Sequence, residues 1–176
     1  MDHSSYAESY IRGILNTVKT IALVGASATE VRPSYLVQKY LLQKGYRVIS
    51  VNPGLAGQTL LGEHVFRSLG EIDEPIDMVD IFRNSDAAGQ ITDEALALSP
   101  QPQVIWMQLT VFNQNAAERA ESAGVKVVMD RCPKMEYGKL SGEWGWMGGN
   151  SGRISSKRGN LTGDRVQSLG IGGNKK

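Results

Sequence analysis

Residues 24–34 read VGASATEVRPS, a segment in which Gly25 is closely followed by Ser27, Thr29, Arg32 and Ser34. A glycine turn that opens a helix presents backbone N–H groups and the positive end of the helix dipole, and a guanidinium adds a bidentate donor. This combination suits a phosphate-bearing ligand. Taken alone, the same residues also suit a plain tight turn beside a solvated arginine. The dinucleotide fingerprint G-x-G-x-x-G is absent, because Ala26 and Ser27 stand where a second glycine would let the backbone approach a pyrophosphate. The acid expected to hold ribose hydroxyls is missing too, since the second β-branched run ends in Asn52-Pro53. An asparagine can hydrogen-bond a ribose but cannot supply the charge-assisted pair of a carboxylate. NAD is therefore disfavoured, and no Walker A loop occurs.

Other catalytic constellations are hard to find. Asp77 and Asp80 are three residues apart in an extended run, so strand alternation sends them to opposite faces and they cannot form a dyad. No Ser/His/Asp order, no metal-ligand cluster and no paired carboxylates fall in an expected loop, so neither a catalytic residue nor a metal site is assigned.

The elements that must position these residues alternate along the chain. Ser5–Val18 reads as an amphipathic helix with Ser5 and Glu8 spaced as a capping box and Ile11, Ile14, Leu15 and Val18 on one face. IALVGAS, Ile21–Ser27, is a short apolar run of the kind covered on both sides of a parallel sheet. Pro33 opens a helix with Leu36, Val37, Tyr40 and Leu41 as its buried stripe, and Gly45 closes it. Further strands are expected at Tyr46–Val51, Ile76–Phe82, Gln103–Thr110 and Val125–Asp130. The helices between them are capped by Ser85 or Asp86 and by Asn113 or Asn115. The expected fold is α/β: a Rossmann-like, doubly wound parallel sheet of about five strands, in order 3-2-1-4-5, with helices on both faces. Ligands bind such sheets at the carboxyl ends of the strands, here the loops after Ala26, Val51, Phe82, Thr110 and Asp130.

Composition sets the limits. A chain of 176 residues suits one domain with a tail. Residues 1–137 carry 12 basic against 16 acidic side chains and 9 of the 20 glycines, whereas residues 138–176 carry 7 against 2 and the other 11. The reading is a folded domain over 1–137 and a Gly-rich basic tail over 138–176. Arg153, Lys157 and Arg158 would give the tail weak, salt-dependent phosphate contacts at most; no aromatic interleaving supports nucleic-acid binding there. The single cysteine, Cys132, allows no internal disulfide and suits a reducing compartment. MDHSSYAES has neither a basic start nor a following apolar stretch, so a cytoplasmic protein without a membrane anchor is expected.

VGAS with a following RPS, VNPG with GQTLLG, DIFRNS and VVMDRCPKME occur in this order over roughly residues 5–137. The combination resembles the YccU-like CoA-binding proteins, stand-alone relatives of the CoA-binding domain in the α subunit of succinyl-CoA synthetase. The resemblance implies coenzyme A, or an acyl-CoA, lying across the carboxyl edge of the sheet. Gly25, Ala26 and Ser27 would face its phosphates with Arg32 nearby. Asn52, Pro53, Gly54 and Gly57 would border the nucleotide, Phe82 and Arg83 would flank it, and Met129, Asp130 and Arg131 would line the far end. One departure is Leu55 in NPGLAG, where the synthetase loop P-G-K-G-G has a lysine. Arg32 or Arg83 would have to replace that phosphate contact.

Cys132, between Arg131 and Lys134, is a candidate redox thiol: neighbouring cations lower a thiol pKa, and a thiolate near the CoA sulfur would allow a mixed disulfide. A buried, inert cysteine is the plainer reading. The synthetase uses a histidine in a second domain; this chain has only His3 and His64, neither with that domain. The expectation is a module that senses, stores or presents CoA or an acyl-CoA. The alternative from another class is an NAD(P)-dependent reductase on the same fold.

Overall fold

The computed structural model describes residues 1–143. The elements, in chain order, are α1 Glu8–Thr17, β1 Thr20–Val24, α2 Pro33–Gln43, β2 Arg47–Val51, β3 Thr59–Leu60, β4 Glu63–Phe66, β5 Met78–Ile81, α3 Ser85–Leu96, β6 Val104–Met107, α4 Gln114–Ser122, β7 Lys126–Val128 and α5 Pro133–Ser141. The seven strands form one sheet in the order β3-β4-β2-β1-β5-β6-β7. Only β3, at the edge, is antiparallel to its neighbour. The central strands are apolar almost throughout because both faces are covered. One core gathers Leu23, Met78 and Trp106 beneath α1, α2 and α5; the other gathers Ala22, Val79 and Ile105 beneath the alanine faces of α3 and α4. The fold is thus the expected doubly wound α/β sheet.

Several details differ from expectation. The order 3-2-1-4-5 does not hold for the five expected strands. The third of them, β5, pairs with β1 at Leu23↔Asp80, and the place beyond β2 is taken by β4 through Ser50↔Val65. EHVF is short and carries a charge and a histidine, so no apolar run announces it. Its hairpin to β3 turns at Leu61-Gly62, both at positive φ (51° and 86°), without the Asn-Gly signal usual for such a turn. The first helix starts at Glu8 with Ala7 as its uncapped N-cap, so Ser5 forms no capping box. Ser34, Val37, Gln38 and Leu41 are the buried positions of α2, while Leu36 is exposed and Tyr40 only partly covered. Asn84, rather than Ser85 or Asp86, caps α3 by accepting from the Ala87 N–H, and Asn113 does the same for α4.

Composition alone did not announce α5, which runs past residue 137 to Ser141. Its end is tied to α2, because the Glu143 carboxylate accepts from the Tyr40 hydroxyl at 2.7 Å and pairs with the Lys44 ammonium. Trp144, Trp146, Arg153, Lys157 and Arg158 lie outside the described residues, and with them most of the basic segment. No helix among the described residues is long and apolar enough to cross a membrane.

Candidate functional site

The winding of the sheet reverses at β1, whose neighbours are β2 on one side and β5 on the other. The loops leaving β1 and β5 therefore diverge, and a crevice opens between them at the carboxyl edge. A groove of about 670 Å³ occupies this place, within the range of small-molecule sites. It is lined by Gly25, Ala26, Ser27, Ala28, Thr29, Arg32, Pro33, Ser34, Asn52, Gly54, Leu55, Phe82 and Arg83.

Gly25 sets the close approach on which the groove depends. Its φ is +97°, and a Cβ there would stand 2.6 Å from the Phe82 carbonyl oxygen. The N–H groups of Gly25 and Ala26 are not open to a ligand, since both donate to the Val51 carbonyl, at 2.9 and 3.3 Å. Ser27 and Ala28 follow with backbone N–H groups that find no partner among the described residues. The Ser27 hydroxyl accepts from the Thr29 N–H at 3.1 Å. Arg32, the N-cap residue of α2, makes no side-chain cap. The positive end of that helix therefore faces the groove without a capping side chain among the described residues.

Asn52 joins the two central loops. Its Oδ1 accepts from the Gly54 N–H at 2.8 Å, and its Nδ2 donates to the Ala26 carbonyl at 2.7 Å. The side chain is thus a brace, and its amide is already engaged where a dinucleotide site would need a free carboxylate. Leu55 contributes an apolar wall. Arg32 and Arg83 are exposed and have no acidic partner among the described residues, and no acid lines the groove.

Several residues expected at the site stand outside this groove. Pro53, Met129, Asp130, Arg131 and Cys132 do not line the groove. Met129 is buried, its sulfur 3.4 Å from the Asn113 nitrogen. Asp130, at φ +54°, accepts from the Thr110 N–H at 2.7 Å. Arg131 lies over the Tyr6 ring and is ion-paired with Asp130 and Glu136. Cys132 fits the plainer of its two readings: it is only 7% exposed, and burial pushes its pKa up, outweighing the N–H groups of Met135 and Lys134. A raised pKa leaves less thiolate, so the neighbouring cations do not activate it. Sequence reasoning passed over Ala28 and gave Leu55 no part in the site, because neither carries a polar signal.

The remaining titratable groups are engaged away from the groove. Asp77 accepts the Lys19 and Thr20 N–H groups at 2.8 and 2.9 Å, which anchors β1 at the opposite edge of the sheet. Asp80 is fully buried on β5, where its carboxylate accepts from the Gln108 amide at 2.9 and 3.2 Å. Desolvation raises its pKa to about 8, so it is predominantly neutral at pH 7. His3 is buried with its Nδ1 2.8 Å from the Tyr6 hydroxyl, and His64 is on β4, edge-on to Phe66. Among the described residues no group of three or more His, Cys, Asp and Glu side chains could hold a metal ion.

A family model described as CoA binding domain matches residues 19–138. An uncharacterized protein of Bacillus subtilis (strain 168), YneT, is 36% identical over 137 residues, which are 78% of this chain and 97% of that protein. A solved structure from Thermus thermophilus is 36% identical with a TM-score of 0.72, over 76% of this chain and 98% of the other. At the level of fold alone, a dinucleotide-forming acetyl-coenzyme A synthetase of Ca. Korarchaeum cryptofilum is similar, with 23% identity and a TM-score of 0.55 over 64% of this chain and 26% of the synthetase.

Proposed function

The chain belongs to the CoA binding domain family, and we propose that its groove holds coenzyme A, or an acyl-CoA, as a binding module without catalytic machinery. The observation that carries this reading is the set of donors at the groove: two guanidinium groups, Arg32 and Arg83, without acidic partners among the described residues, beside the open N–H groups of Ser27 and Ala28 and the uncapped start of α2. Such a set favours a ligand with several phosphates, because each anionic oxygen finds a charged or dipolar donor. Leu55 and Phe82 add apolar surface for the uncharged parts of the same molecule. No nucleophile and base come together at the groove among the described residues: Cys132 is buried, Asp80 is sealed under the sheet edge, and His3 is held by Tyr6 and Glu121. The module would sense, store or present its ligand in the cytoplasm, the compartment that the single cysteine favours. Engagement of Asn52 by Gly54 and Ala26 weighs against the NAD(P)-dependent alternative.

The arginines give the test. Calorimetric titration of CoA into Arg32→Ala and Arg83→Ala variants is expected to show affinity losses of about tenfold each, the order for removing one solvent-exposed charged donor. Dephospho-CoA should be bound more weakly than CoA by the unaltered protein, and one of the two variants should lose that preference. Unchanged CoA affinity in both variants would refute the phosphate assignment.

A further inference from the structure

The turn after β6 carries an arrangement that the groove alone does not explain. Leu109 is 47% exposed and Phe112 is 53% exposed, whereas Val111 between them is buried. Thr110 is held at φ +69°, a conformation strained for a residue with a Cβ. The Asp130 carboxylate maintains it by accepting the Thr110 N–H at 2.7 Å. The turn thus seats Val111 in the core and stands two large apolar side chains in solvent.

This turn adjoins the groove. Ile81 and Met107 close the β5–β6 register, so the turn after β6 leaves the sheet beside the loop that carries Arg83. The Phe112 N–H donates to the Ser85 hydroxyl at 3.0 Å, and the Asn113 amide donates to the Ser85 carbonyl at 2.8 Å. These bonds fasten the turn to the first residue of α3, two positions after Arg83. Polar, cationic groove and apolar shelf are therefore consecutive along the carboxyl edge. Two side chains fall far short of the roughly 800 Å² that each partner buries in a stable protein interface, but they suffice for a short hydrocarbon chain.

Resting on the CoA reading above, we propose that Leu109 and Phe112 receive the acyl chain of an acyl-CoA, so that the ligand class is a thioester with a linear aliphatic acyl group rather than free CoA. Phosphates at Ser27, Arg32 and Arg83 and an arm passing Phe82 would bring the thioester end towards the shelf. The test is calorimetry of the full chain with CoA and with octanoyl-CoA, on the unaltered protein, on a Leu109→Ser/Phe112→Ser double variant and on Phe112→Ser alone. Octanoyl-CoA should bind about tenfold more tightly than CoA to the unaltered protein, the gain from burying roughly two methylenes. The double variant should lose this gain, and Phe112→Ser part of it, while CoA affinity stays the same, which also shows that the groove remains folded. Equal affinities for the two ligands, or a gain that persists in the double variant, would overturn the shelf while leaving CoA binding intact. A concentration-dependent dimer abolished by the double variant, with no acyl gain, would likewise overturn it and assign the patch to a second copy of the chain. Failure of CoA itself to bind the unaltered protein would instead remove the reading on which the shelf depends.

Discussion

A Gly25→Ala variant is expected to lose CoA binding by more than about a hundredfold and to melt roughly 10 °C lower. Two costs combine. The backbone at φ +97° is open to glycine and strained for alanine, at about 1–3 kcal/mol. The added Cβ would also stand 2.6 Å from the Phe82 carbonyl oxygen, a backbone atom, with Phe82 itself fixed by its N–H bond to the Val24 carbonyl at 2.8 Å. Relief requires the β1 and β5 ends to part, which moves Ser27 and Arg83 out of their common groove. A total cost near 3–4 kcal/mol corresponds to the stated change in Tm for a domain of this size. Gly124→Ala is the control: its φ is +81°, but nothing lies within 4 Å of the new Cβ, so it should cost stability alone and leave binding unchanged. Differential scanning calorimetry and ligand titration of both variants check this. Normal CoA affinity in Gly25→Ala would contradict the placement of the ligand against this loop.

The second large effect concerns Asp80 and pH. Its folded-state pKa of about 8 lies above the ordinary value of 3.8. Below pH 4 the carboxyl is neutral in both folded and unfolded chains. As pH rises further, the unfolded chain ionises while the folded one does not, so stability falls from about pH 4 until the folded-state pKa near 8 is passed. At about 1.4 kcal/mol per unit, a shift of roughly four units sets a ceiling near 6 kcal/mol, and a few kcal/mol is the expected size. In an Asp80→Asn variant the new side-chain carbonyl would still accept from the Gln108 amide, and the group could not ionise. That variant should therefore be more stable than the unaltered protein at pH 8 by a few kcal/mol, with the difference vanishing towards pH 4. Urea unfolding at both pH values measures it. Parallel pH dependence in the two proteins would show that Asp80 does not carry this penalty.

The sequence disclosed the fold where its signals were physical and local. IALVG, RVISV and VIWM are largely apolar because both faces of a parallel sheet are covered, and that is visible in any window of a few residues. The hairpin β3–β4 was not visible, since Glu63 and His64 interrupt its apolar pattern and Leu61 stands where asparagine usually marks the turn. Its strand β4 takes the place beyond β2 that the order 3-2-1-4-5 assigns to the third strand. The site shows the same division. Gly25, Ser27, Arg32, Asn52 and Arg83 announce themselves by residue type, and all line the groove. That Asn52 braces the loops, that the Val51 carbonyl occupies the N–H groups of Gly25 and Ala26, and that Cys132 is buried are matters of tertiary geometry. No spacing of residues encodes them.

Parallel calorimetric titrations of the purified protein with CoA and with NADH decide which ligand the groove takes. Saturable binding of CoA at one site per chain, with no comparable heat from NADH, is the result expected of a groove whose arginines have no acidic partner among the described residues and whose Asn52 is already engaged. Tight binding of NADH with no response to CoA would contradict it.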